Sequence, residues 1–145
     1  MAILFSVVVS AQTNLTGTWV LNKTKSKLSA EFSIAPKDMT VVQKGNDLSY
    51  EKHSEWQGQE FTISDKFTLD GKECVNKGWM DTEKKSTAEW SDDKKSVKIT
   101  SKIPMQNETM TVIEVYKMED GNLVLESKAS SSYGDLEETQ VFEKK

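Results

Sequence analysis

Turn-forming residues interrupt this chain at intervals too short for long helices, and that spacing constrains the fold more than any other feature. Gly45-Asn46-Asp47, Trp56-Gln57-Gly58, Asp92-Asp93-Lys94-Lys95 and Glu119-Asp120-Gly121 separate runs such as "LSYEKHSEW", "EFTISDKFTL" and "SVKITSKI". These runs are rich in β-branched and aromatic residues, as pleated strands are. No segment keeps a long apolar period of 3.6 residues, and Pro36 bars a helix from continuing through "KTKSKLSAEFSIAPKD". Nine or so strands at spacings of about 8–12 residues are the pattern of an antiparallel sandwich or barrel. The successive turns imply pairing between neighbours in sequence, an up-and-down meander. Such a sheet has two open edges unless it closes on itself. The expected fold is therefore all-β, an antiparallel up-and-down barrel of about eight to ten strands. Asp70-Gly71 reads as a strong hairpin signal, and the Lys-rich stretch before "STAEW" reads as another turn.

Composition narrows the classes. The 145 residues suffice for one packed domain, and 36% hydrophobic with 29% charged residues suits a thin β wall with one wet face. A net charge of −4 argues against a nucleic-acid partner. All 19 basic residues are Lys, so the bidentate grip on carboxylate or phosphate that Arg provides is missing. Cys74 is the lone cysteine, and no intrachain disulfide can form. The start "MAILFSVVVSAQTN" places an apolar run, Ala2 to Val9, before small residues, which reads as a truncated signal-peptide-like leader over residues 1–11. The competing reading is an N-terminal strand. The leader is too short for the roughly 20 apolar residues of a membrane span, and no Cys follows it to carry a lipid. The expectation is a single domain over 12–145, secreted or periplasmic in a bacterium, monomeric and without a stable membrane anchor.

At "GTWVLNKTKS" and "TQVFEKK" the sequence meets a family. Gly17-Thr18-Trp19 resembles the Gly-X-Trp signature that opens lipocalins and fatty-acid-binding proteins, the calycin superfamily. "EDGNLVLES" followed by "TQVFEKK" is similar to the last two strands of fatty-acid-binding proteins, and the chain from Gly17 onward resembles exported bacterial lipocalin-like proteins. The resemblance implies a lipocalin-like barrel around a cavity for a small apolar ligand. Lys23 to Lys37 is too short for the helical lid of fatty-acid-binding proteins, so no full lid is expected. The family's last strand carries Arg-X-Tyr as a carboxylate clamp; the matching positions are Gln140 and Phe142, and a further clamp arginine falls on Tyr116. The anion clamp is absent.

Strand phase then nominates a lining. Turning Met110, Val112, Glu114, Tyr116 and Met118 inward places a carboxylate beside a phenol, whereas the opposite phase leaves Glu114 in solvent. A Glu114–Tyr116–Gln140 group would orient a neutral polar head by hydrogen bonds. The same logic turns Tyr50, Trp56, Phe61, Ile63, Phe67 and Leu69 inward. The candidate ligand-binding set is Tyr50, Trp56, Phe67, Met110, Glu114, Tyr116, Gln140 and Phe142. A barrel of about eight strands can be filled by side chains or hold one small ligand, and the sequence leaves both open. Trp19 is expected to plug the base, with a Lys or nothing over it; Trp79 and Trp90 are expected to cover hairpin ends. His53 is the one histidine, expected outside and solvated; Glu137-Glu138 are expected to face apart or into solvent. No nucleophile motif, metal set or phosphate loop is present, so no enzyme activity and no cofactor are expected. The sequence reading is a binding protein for a small hydrophobic or amphipathic, uncharged-headed ligand. The alternative is a filled barrel acting as a protein-interaction or inhibitor module in the cell envelope.

Overall fold

The computed structural model describes residues 12–30, 33–78 and 81–145, and among these it contains ten strands and no α-helix. The leader and Trp79 lie outside the described residues. The strands are β1 Gly17–Leu21, β2 Asp38–Lys44, β3 Asp47–Trp56, β4 Gln59–Thr68, β5 Cys74–Lys77, β6 Glu83–Trp90, β7 Ser96–Pro104, β8 Thr109–Glu119, β9 Asn122–Ser131 and β10 Gly134–Lys144. All pairings are antiparallel, in the order β4-β3-β2-β1-β10-β9-β8-β7-β6-β5. Each strand pairs with its sequence neighbour except β4 with β5, the two ends of the sheet, and β1 pairs with β10, so the meander wraps nearly into a closed barrel.

The tightest hairpins follow from turn chemistry. Asp120 and Gly121 both have positive φ, as do Gln57 and Gly58, and each pair forms the two-residue loop of its hairpin. That conformation matches strand twist and favours Gly at the second position. Asp70-Gly71 behaves differently from its sequence signal. The Asp70 carboxylate accepts from the Thr68 hydroxyl and the Lys72 N–H, while the Gly71 N–H bonds across to Ala88. The loop therefore spreads β4 from β5, and no backbone ladder joins them. Side chains close the seam instead. The Asn76 amide gives to the Lys66 carbonyl and accepts from the Lys66 N–H, both at 3.0 Å, in the manner of a strand neighbour. The Lys-rich stretch is also not a turn: Glu83, Lys84 and Lys85 open β6, with Lys84 buried inside.

The base of the barrel is solid. Leu15, Trp19, Met39, Leu48, Phe67, Leu123, Leu125 and Phe142 belong to one buried apolar cluster. Trp19 donates its indole N–H to the Leu15 carbonyl at 3.1 Å, and the Lys144 ammonium stands 5.9 Å from its ring. A lysine therefore occupies the cation position over the plug. Trp90 packs partly buried against the same cluster.

The described residues between β1 and β2 form a strap and contain no helix. Lys27 exchanges backbone bonds with Thr139, and the Glu138 carboxylate accepts from Ser29 N–H, Ser33 Oγ and Ile34 N–H at 3.1, 2.6 and 2.9 Å. The expectation for Glu137-Glu138 holds only in that they face apart, because Glu138 is buried and serves as the strap's anchor. His53 lies on the outer phase of β3 as expected, yet it is half-buried rather than freely solvated. Its ring nitrogens meet Asp38 and Glu51. The Asp38 contact, reinforced by Glu51, raises the His53 pKa above 6.5 against a smaller opposing effect of desolvation. The stability this contributes is fully present below the ordinary His value and is lost as pH rises through the raised one. An NMR titration of His53 should give a midpoint above 6.5, and Asp38→Asn should bring it down; a midpoint unmoved by Asp38→Asn would refute the pairing.

Candidate functional site

Above the apolar base, the inward positions change character. Lys52 on β3 donates to Glu114 on β8 at 2.6 Å, and the Tyr116 hydroxyl donates to the same carboxylate oxygen at 2.9 Å. Lys84 on β6 pairs with Asp65 on β4, and the Tyr50 hydroxyl donates to that oxygen at 2.6 Å. The Lys52 ammonium also stands 4.3 Å from the Tyr50 ring centroid and 5.5 Å from that of Tyr116. Ser86 and Ser101 share a hydrogen bond at 2.8 Å. These groups form a polar belt halfway up the barrel.

The belt is close to electrically balanced. Charges can be buried only when paired and hydrogen-bonded, and each ammonium here has its own carboxylate. Burial pushes the Glu114 carboxyl upward, but the adjacent Lys52 ammonium and the Tyr116 hydroxyl outweigh it and hold it below 4.5. Burial, with the negative Glu114 nearby, drives the Tyr50 and Tyr116 phenols well above 10.0, so both remain neutral hydrogen-bond donors.

Between the belt and the strap lies a cavity of about 190 Å3. Its apolar wall comes from Ile34 and Pro36 of the strap with Ile63, Ile103, Met110 and Val112. Its polar wall includes Tyr50, Lys52, Lys84, Glu114, Ser127 and Gln140. Three wider depressions, of about 470, 530 and 590 Å3, lie mainly against outward-phase residues such as Ile113, Val42 and Ser49. In the interior space apolar side chains converge with the buried polar groups of the belt, the arrangement expected of a ligand site.

The eight nominated residues divide by height. Tyr50, Met110, Glu114 and Gln140 line the cavity. Tyr116 stands behind Glu114 as its hydrogen-bond donor. Phe67 and Phe142 are locked in the packed base. Trp56 has the inward phase but sits beside the Gln57-Gly58 turn, 49% exposed, and Phe61 near it is 46% exposed. Both lie beyond Ser54 and Ile63, the last residues of their strands to reach the cavity. Glu114 faces inward, which settles the phase of β8.

Lys52, Asp65 and Lys84 were missed. Extending the period of two would have found two of them: Lys52 falls between Tyr50 and Ser54, and Asp65 between Ile63 and Phe67, all in the inward phase. Lys84 carries no such signal, because its Lys-rich segment reads as a turn. Among the described residues, no group of three or more His, Cys, Asp or Glu gathers as a metal site requires.

No protein-family model and no curated protein matches the sequence. Solved structures do match in shape. The zebrafish ileal bile acid-binding protein complexed with cholic acid aligns with a TM-score of 0.59 at 16% identity, over 90% of this chain and 98% of that one. A secretory abundant heat soluble protein from Ramazzottius varieornatus gives 0.66 at 14% identity, over 94% and 98%. Fatty-acid-binding protein 1 of Echinococcus granulosus gives 0.60 at 14%, over 90% and 96%. With its ten-stranded antiparallel meander closing nearly into a barrel and the indole plug at its base, the chain shares the barrel fold of these proteins.

Proposed function

We propose that this barrel is an exported binding protein for a small, neutral-headed amphipathic molecule. The ligand's apolar part sits under the strap and its head rests on the polar belt. The observation that carries this reading is the cavity, apolar on one side and charge-compensated on the other. The solved structures of similar fold include one complexed with cholic acid and one named for binding fatty acids, which supports a small amphipathic occupant in general. An anionic head fits this barrel poorly: Lys52 and Lys84 are already paired, and a buried carboxylate without a cation is costly. The apolar run over Ala2–Val9 supports export.

Size limits the ligand further. A volume of about 190 Å3 is the liquid share of about six waters, and it falls below the roughly 300 Å3 at which ligand pockets usually begin. With the strap in place, the occupant is a short-chain compound. Hexan-1-ol, 1-methoxypentane and hexanoate are suitable probes. NMR titration should shift the signals of Met110 and Ser127 with a neutral probe, and hexanoate should bind about tenfold more weakly. The reading fails if none of the three perturbs those residues.

A further inference from the structure

The seam between β4 and β5 is clasped at Lys66 and Asn76 and leaves the upper part of β4 as a bare edge. β4 is one end of the sheet and has a backbone ladder with β3 alone. The Lys66 N–H and carbonyl both bond to the Asn76 amide, so they point away from β3. Backbone groups alternate sides along an antiparallel strand. The N–H and C=O of Glu60, Thr62 and Ser64 therefore point the same way, and no group among the described residues meets them. Residues 59–64 are all exposed, Phe61 and Ile63 among them. Such an edge is a template for another strand, and folded proteins usually blunt it with a proline, a bulge or charges. Here the register with β3 runs unbroken, and Phe61-Thr62-Ile63-Ser64 carries neither proline nor charge.

We propose that this edge pairs with the same edge of a second copy of the chain, antiparallel about a two-fold axis at Thr62. The free stretch is self-complementary about that residue. Thr62 faces Thr62 of the second copy, and Glu60 faces Ser64 in both directions, so every free N–H and C=O of the three residues finds a partner. Phe61 of each copy lies opposite Ile63 of the other, a favourable cross-strand pair of aromatic and β-branched side chains. Glu60 is diagonal to Lys66 of the second copy, opposite in charge and within reach of long side chains. Head-to-tail addition of β4 onto β5 fits less well: β5 offers four residues, and its Asn76 is already committed to Lys66. The symmetric pairing closes after two chains and builds no fibre. The monomer expected from the sequence is then the dilute form of the protein.

Pairing over residues 60–64 makes a small, transient contact, so sedimentation of the full chain is read up to about 1 mM. The parent should pass from monomer to dimer with concentration. Thr62→Pro should weaken the association about tenfold or more, because it removes an N–H on the axis that the barrel itself does not use. Amide exchange adds a period of two. Glu60, Thr62 and Ser64 should gain protection with concentration, while Phe61 and Ile63, whose N–H groups face β3, should not change. In a Cys74→Ser background, Thr62→Cys sets two thiols across the axis with Cα atoms about 5.5 Å apart, inside the roughly 4.4–6.8 Å span of a disulfide. It should crosslink about tenfold faster than Glu55→Cys, an exposed position off this edge. A parent that stays monomeric up to about 1 mM overturns the proposal. So does a dimer untouched by Thr62→Pro, which sits on another surface. Protection of the three amides in the dilute monomer overturns it too, because another part of the chain then covers the edge.

Discussion

Lys52→Met should lower the stability of the protein by about 3–5 kcal/mol, the cost of leaving a buried carboxylate without its cation. Glu114 is the carboxylate in question, with the Lys52 ammonium 2.6 Å away and both side chains about one-tenth exposed. Methionine matches the length of the lysine stem, so packing is largely kept and the loss reports on charge. Removing both partners, as Lys52→Met with Glu114→Leu, should recover most of the loss, since well-packed apolar pairs replace buried ion pairs at little cost. Urea unfolding with an unchanged m-value gives the comparison. Acid adds a second signature. Glu114 is held below 4.5 in the folded parent, so its contribution is present above the unfolded value and fades as pH falls through the depressed one. In Lys52→Met the largest pull downward is gone, leaving the Tyr116 hydroxyl and Lys84 against burial, which raises the carboxyl, and the deficit should shrink as acid neutralises it. A single-variant loss under about 1 kcal/mol would mean that the pair is wet rather than buried.

How much of this site could be read from the sequence follows from the same residues. The turns at Gln57-Gly58 and Asp120-Gly121, the Gly-X-Trp opening and the period of two were enough for the barrel, because each is a local signal with a local cause. The inward phase of β8 was legible as well, since Met110, Val112, Tyr116 and Met118 outvote one glutamate. The belt was harder. Its parts lie far apart in sequence, with Lys52 and Glu114 separated by 62 positions and Lys84 and Asp65 by 19. A lysine inside a barrel contradicts the usual rule for burial, and it becomes admissible only when a partner on another strand is known. Height along the barrel was not legible either. Phase says which face a residue takes, but it does not say whether that face meets the packed base, the cavity or the open rim. Phe142, Gln140 and Glu138 share one face of β10 and have three different roles.

Phe142→Ala tests that division by height. The ring is fully buried among Trp19, Leu123 and other residues of the base, where truncation of a phenylalanine costs about 3–5 kcal/mol through lost burial and the void left behind. Met110→Ala removes a side chain of similar apolar weight from the half-open cavity wall, where part of the surface is already exposed, and should cost less than about half as much. Their effects on binding should run in the opposite order. Met110→Ala removes a wall that the ligand's chain would touch and should weaken hexan-1-ol several-fold, whereas Phe142→Ala should leave its affinity within about twofold under conditions where the variant is folded. Urea midpoints and an NMR titration on the same two variants give both readings. If Phe142→Ala instead loses affinity as strongly as Met110→Ala, the base and the cavity are one continuous space, and the polar belt does not form the floor of the site.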